Sequence, residues 1–223
     1  MKWIAVATEA PTSHHVGKTL AQILVFWCVF LGLLPWLVWH VEQWLDMPAM
    51  EVTSHRLLGS IVFVLASTLG LATGLTMAVR GRGTPLPLCT ARRLVIVGPY
   101  RVVRNPMAVA GITQGLAVGT FIDSWLVLLY ALAGAVLWHL CVRPAEERDL
   151  EQRFGDPFQA YREKVPLWLP RLTPWQIERV IGWLLVLGAV AMWSGVDASP
   201  RNIVRMVPAS VLVALLGVML VRR

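Results

Sequence analysis

The stretch GPYRVVRNPM, residues 98–107, lies between two apolar segments. It carries two arginines, a Gly98-Pro99 turn pair and an Asn105-Pro106 break. Pro106 suits the first turn of a helix, where its missing N–H costs nothing. From Pro106 to the turn at 121–124 there are only about 16 residues. At about 1.5 Å each they reach roughly 24 Å, short of the ~30 Å hydrocarbon core of a bilayer. The helix is therefore expected to begin below the headgroup level, with the basic hairpin before it tucked into the membrane surface. Irregular backbone survives there only when buried in protein or lining a polar cavity. Residues 98–106 are thus a candidate site on physical grounds.

The composition around this stretch points the same way. Of 223 residues, 57% are hydrophobic and 15% charged. Soluble domains run near 45–50% apolar and 25% charged, so the chain reads as an all-α, polytopic membrane bundle forming one domain over 1–223. Six spans are expected, at 20–40, 57–79, 107–121, 124–142, 179–195 and 203–221. With the N-terminus inside, 17 of the 20 Lys/Arg fall on the inner side and 3 on the outer. That asymmetry predicts both termini in the cytoplasm, and a bacterial inner membrane is the expected location. It also accounts for the net charge of +7 without nucleic acid. The N-terminus does not read as a cleaved signal. Cys28, Cys89 and Cys141 show neither disulfide nor zinc spacing and read as small buried apolar residues.

Glycines 111, 115 and 119 share one helical face, as do Gly70 and Gly74. Such faces serve close helix packing or leave room for a flat ligand. Gln114 and His139 are polar positions inside spans and need a partner or a cavity.

The dense charge sits in two inner loops, 80–106 and 143–178. In the second, Leu150, Phe154, Phe158 and Tyr161 fall at helical spacing. They predict one cytoplasmic amphipathic helix with Arg148, Glu151, Arg153 and Arg162 on its wet face. No dinucleotide fingerprint, P-loop, zinc motif or Ser/His/Asp grouping is present, and no metal site is expected. Chemistry here would use Arg, Glu, Asn and backbone groups.

Leu94-Val95, Gly98-Pro99-Tyr100-Arg101, Arg104-Asn105-Pro106-Met107 and the following Gly111 resemble the G-P-Y-R-x-x-R-H-P-x-Y motif of the isoprenylcysteine carboxyl methyltransferase and phospholipid methyltransferase superfamily. Glu146-Glu147, Leu150, Phe154-Gly155, Tyr161, Val165-Pro166 and Pro170-Arg171 resemble its second motif. The resemblance covers about 94–171, which would be the cofactor core. Spans at 179–221 would form an added hairpin that shapes an acceptor tunnel or serves homodimer packing. By this resemblance the fold carries S-adenosylmethionine-dependent methyl transfer to a membrane-borne acceptor. Leu94, Val95, Tyr100, Asn105, Pro106, Met107, Ala108 and Glu146 would line the cofactor pocket. Arg143 would face the acceptor. Asn105 stands where the family has His and keeps a donor and an acceptor. Ala108 stands where the family has Tyr, which removes a ring and a hydroxyl.

Methyl transfer is an in-line displacement in which positioning alone is worth roughly 7–11 kcal/mol. A carboxylate acceptor, as on a prenylcysteine, needs a cation to orient it, and Arg104 and Arg143 can supply one. An amine, as on a phospholipid, must lose a proton, and Glu147 could take it. A non-catalytic scaffold or accessory protein on the same fold, and a small transporter, are the rival readings.

Overall fold

The computed structural model describes residues 7, 9–50, 54–84 and 91–171, and all regular structure among them is helical. Five helices carry the fold: α1 (Thr12–Trp44), α2 (His55–Gly81), α3 (Pro106–Phe121), α4 (Trp125–Phe154) and α5 (Asp156–Lys164). Of these, α1, α2 and α4 are long and apolar enough to cross a membrane. Their apolar side chains face outward in rows, among them Leu24, Val25, Val64, Leu65, Leu137 and Leu140. Such surface suits lipid contact, because lipid tails are as apolar as leucine. Cys28 and Cys141 are also exposed, not buried as expected. Cys89 and the expected spans at 179–195 and 203–221 lie outside the described residues.

Proline shapes two of the long helices. In α1 the segment Trp27–Leu33 widens into a π-helical stretch just before Pro35. In α4 the same happens at Trp138–Val142, just before Pro144. A proline cannot donate to the carbonyl four residues back, and a π-turn is one way a helix absorbs that loss.

The short span is a short helix. With 16 residues, α3 starts at Pro106 and ends at Phe121. It is wedged between α2 and α4, and glycine makes this possible. A Cβ on Gly59 would come within 2.8 Å of the Ala117 carbonyl oxygen, and one on Gly115 within 3.0 Å of the Ala131 Cβ. Gly70 lies against Ala110, and Gly119 against Leu128. The packing role of the glycine faces is therefore realised at these positions. Gln114 finds its partner across the α2–α3 seam, donating to Ser67 Oγ at 2.9 Å.

At the end of the bundle opposite Arg104 and Arg143, Glu42 is buried and holds the start of α4. It accepts from Trp125 N at 2.9 Å and from Ser124 Oγ. Ser124 in turn caps the helix by accepting from Val127 N. A carboxylate at a helix N-terminus meets both orphan N–H groups and the positive end of the dipole.

At the other end, α4 continues without a break from its apolar part into the charged stretch 143–154. Thirty residues at about 1.5 Å give ~45 Å, well beyond a bilayer core. The final turns, beginning at Arg143, therefore stand clear of the membrane-spanning part. The single amphipathic helix expected over Leu150–Tyr161 is instead divided. Gly155 adopts φ +52°, a conformation that L side chains rarely take, and α5 starts afresh at Asp156-Pro157. The break turns Phe158 and Tyr161 inward, and both are buried.

Candidate functional site

The hairpin of the first motif is held from three sides. Gly98, at φ +59°, opens a single 3₁₀ turn over Gly98–Arg101. Asn105 (φ −129°, ψ 58°) is non-helical and stands at the N-cap, and α3 follows directly from Pro106. The Tyr161 hydroxyl donates to the Tyr100 carbonyl at 2.7 Å, and Arg104 N donates to the Pro166 carbonyl at 2.8 Å. In the last turn of α4, Arg153 Nη1 donates to the Ala91 carbonyl at 2.7 Å. Arg153 also pairs with Asp149 at 2.6 Å. It is thus a half-buried clamp, not a member of the wet face that its spacing implied. Ala91 and Val95 pack with Tyr100 and Met77 in a small apolar cluster. A Cβ on Gly81 would stand 2.8 Å from Ala91 Cβ and Val95 Cγ2, so only glycine lets this segment close onto α2.

Between the hairpin and the charged turns of α4 lies a polar cavity of about 90 Å³. Of the expected cofactor residues, Leu94, Val95, Tyr100, Asn105, Met107 and Glu146 line it, and Arg104 and Arg143 do so too. Pro106 is fully buried behind it, at the start of α3. Ala108 does not line it. It faces a second cavity, described below. Thr84 and Ala91, which flank the undescribed residues 85–90, both line the polar cavity. Its volume is below the ~300–1,000 Å³ of most small-molecule sites, so it could hold only part of a larger ligand.

Four charged side chains form one network. Glu147 accepts from Arg104 and, at 2.8 Å, from Arg143 Nη2, both through Oε1. Arg143 Nη1 lies 3.6 Å from Glu146 Oε2. Burial pushes the Glu146 carboxyl up to about 7, against the downward pull of Arg143. Burial also lowers the Arg104 guanidinium from its usual range, with Glu147 opposing. Around the cavity, Arg104 Nε, Asn105 Nδ2, Arg143 Nε and Trp138 Nε1 are buried without a hydrogen-bond partner. Buried donors are almost always paired, and these four unused donors lie around one cavity. A carboxylate acid beside them, and aliphatic walls at Leu94, Val95 and Leu150, complete a lining for an amphipathic ligand with an anionic group and a cation. S-adenosylmethionine has both, and the residues present fit it.

The second cavity, about 640 Å³, is lined by α1, α3 and α4 with Gly70 of α2, and the exposed Phe30 and Leu137 are among its lining residues. Its lining is apolar apart from Gln22, Gln114, Tyr130 and Trp138. Gly111 opens onto it, with no atom nearer than 3.8 Å to a Cβ there. The glycine face of α3 therefore does both jobs: packing at Gly119 and open space at Gly111. Met107 and Trp138 line both cavities and are the described residues common to the two. Sequence reasoning missed Trp138. As one of 11 tryptophans in a membrane chain it carries no local signal. His139 beside it contacts the segment after α5, accepting from Trp168 Nε1 at 3.2 Å.

Among the described residues, no three His, Cys, Asp or Glu gather as a metal site. Over 145 residues the chain is 30% identical to a cobalt-zinc-cadmium resistance protein of Cupriavidus metallidurans, covering 63% of this chain and 66% of that one. Over 109 residues it is 30% identical to a nickel-cobalt-cadmium resistance protein of Alcaligenes xylosoxydans xylosoxydans, covering 47% and 50%. The match thus spans just under two thirds of the first relative and half of the second. The model of the phospholipid methyltransferase family matches residues 55–157, from the start of α2 through the charged end of α4. Both walls of the polar cavity fall within that range, which is similar to the phospholipid methyltransferase family of the isoprenylcysteine carboxyl methyltransferase-like superfamily.

Proposed function

We propose that this chain is an integral membrane, S-adenosylmethionine-dependent methyltransferase whose acceptor is a lipophilic carboxylate of the prenylcysteine kind. The observation that carries the reading is the pair of cavities with a common wall. A polar cavity opens among the charged turns, an apolar one is lined by the helices, and Met107 and Trp138 belong to both. A soluble cofactor and a greasy acceptor need such adjoining compartments.

Bound S-adenosylmethionine supplies an electrophilic methyl on a sulfonium, which a nucleophile takes as the C–S bond breaks and the electron pair stays on sulfur. Asn105 and Glu146 would hold the polar groups of the cofactor, and Leu94, Val95 and Met107 its apolar parts. Arg104 and Arg143 retain unpartnered Nε donors for carboxylate groups. Glu147, one candidate for a base, has its Oε1 engaged by both guanidinium groups. Its place is to hold the two arginines, and this favours an acceptor that needs no deprotonation. The arginine-rich end then faces the cytoplasm, where the cofactor is.

Calorimetry of S-adenosylmethionine binding to the detergent-purified protein tests this. Micromolar binding is expected, lost in Glu146→Ala and Asn105→Ala, with methyl ester formation on prenylcysteine analogues. A folded wild type that binds no cofactor, with acceptor analogues present, refutes the reading and leaves the scaffold.

A further inference from the structure

We infer that Trp138 is the residue that selects the acceptor head: its indole N–H holds a carboxylate where the two cavities meet. The inference rests on the proposed function. Met107 and Trp138 form the common wall, and of these two only the tryptophan brings a strong donor, since a thioether is at best a weak acceptor. Trp138 Nε1 is buried and has no hydrogen-bond partner. Tryptophan buried in a protein ordinarily satisfies its N–H, so this indole has a donor to spare for an acceptor atom at the junction.

The position of the ring follows from the chain. Pro144 cannot donate to the carbonyl of Leu140, and the π-turn over Trp138–Val142 precedes it. This turn sits where α4 passes from the apolar lining of Ala131, Gly134 and Leu137 to the buried guanidinium of Arg143. Trp138 and Arg143 are both donor-only side chains. They suit a head that only accepts, which a carboxylate is. A protonated amine would set donors against donors. A methyl ester, having lost its charge and half its acceptor capacity, would bind more weakly and leave for the bilayer.

Binding of the fluorescent fatty acid cis-parinarate and of its methyl ester can be compared in nanodiscs, with no cofactor added and empty nanodiscs subtracted. Wild type is expected to bind the acid about tenfold more tightly than the ester, the size of one hydrogen bond to a charged group. Trp138→Phe keeps an aromatic ring and removes the donor. It is expected to lose that preference by weakening acid binding while ester binding stays unchanged. Equal binding of acid and ester by wild type overturns the inference. So does a Trp138→Phe protein that keeps the preference, or one in which acid and ester weaken together, which is the mark of a packing defect. Cofactor calorimetry on the same preparation judges the methyltransferase reading separately, because the acid-to-ester ratio needs no cofactor.

Discussion

The Tyr161 hydroxyl reaches across 61 residues of sequence to donate to the Tyr100 carbonyl at 2.7 Å, tying the second motif to the first. Both rings are buried. The Tyr161 hydroxyl is pushed up to about 12 by burial, against Arg143 and Arg104, so it stays protonated and donating throughout the physiological range. Tyr161→Phe leaves the carbonyl buried without this donor and should cost about 1–3 kcal/mol. The check is thermal unfolding in detergent. Cofactor affinity should fall with it, because the carbonyl belongs to the hairpin that lines the polar cavity.

Glu146 should make both stability and cofactor binding depend on pH, with opposite signs. Its carboxyl is raised from 4.5 to about 7, chiefly by burial. The folded state therefore favours the protonated acid. This contribution to stability is fully present below pH 4.5 and is lost as pH rises through 7. At ~1.4 kcal/mol per unit it amounts to about 3 kcal/mol at most. A cationic ligand beside Glu146 favours the ionised form instead, so S-adenosylmethionine should bind more tightly as pH rises through 7. Glu146→Gln should flatten both curves between pH 5 and 8 in parallel melting and calorimetry series.

How much of this was legible in the sequence differs by residue. The short α3 could be read because Pro106 and the turn at 121–124 bound it. The hairpin could be read because glycine and proline restrict the backbone locally. Arg153 could not: its spacing placed it on a wet face, but Gly155 turns α5 and the 91–95 segment reaches its guanidinium. The linear motif sets Ala108 beside Met107, but on a helix successive residues face different ways. Met107 reaches both cavities and Ala108 only the apolar one. The apolar cavity itself had no local signal, since it is a gap lined by residues of four helices.

The two arginines that share Glu147 leave the protein sensitive to its loss. Side-chain exposure is 11% for Arg104, 6% for Arg143 and 24% for Glu147. Removing one member of a buried ion cluster strands the others, at about 3–5 kcal/mol. Glu147→Ala should therefore unfold at a markedly lower temperature than Glu146→Ala, whose carboxyl is only 3.6 Å from one guanidinium nitrogen. The reverse order would show that Glu146, not Glu147, anchors the network.

The glycines of α2 and α3 should divide into two classes. Gly59→Ala would bring a Cβ to 2.8 Å from the backbone of α3 at Ala117 and Phe121, so the helices must separate. A cost of about 1–3 kcal/mol is expected. Gly111→Ala meets nothing nearer than 3.8 Å. It should be neutral or slightly stabilising in a helix interior, by up to ~1 kcal/mol. Melting temperatures of the two single variants decide the matter.

Ala108 is one of the residues that bound the apolar cavity. It is buried, and it lines that cavity beside Met107, where the two compartments meet. A tyrosine there would place a ring within the 640 Å³ space. Overpacking costs typically ~1–3 kcal/mol where there is no room, but here the ring has a void to enter. Ala108→Tyr should therefore keep the melting temperature within a few degrees and still bind cofactor. Its acceptor preference should shift toward shorter chains, read from relative kcat/KM across prenylcysteine analogues of decreasing isoprenoid length. An unchanged length profile would mean that the acceptor does not occupy this cavity, whatever the cofactor does in the other.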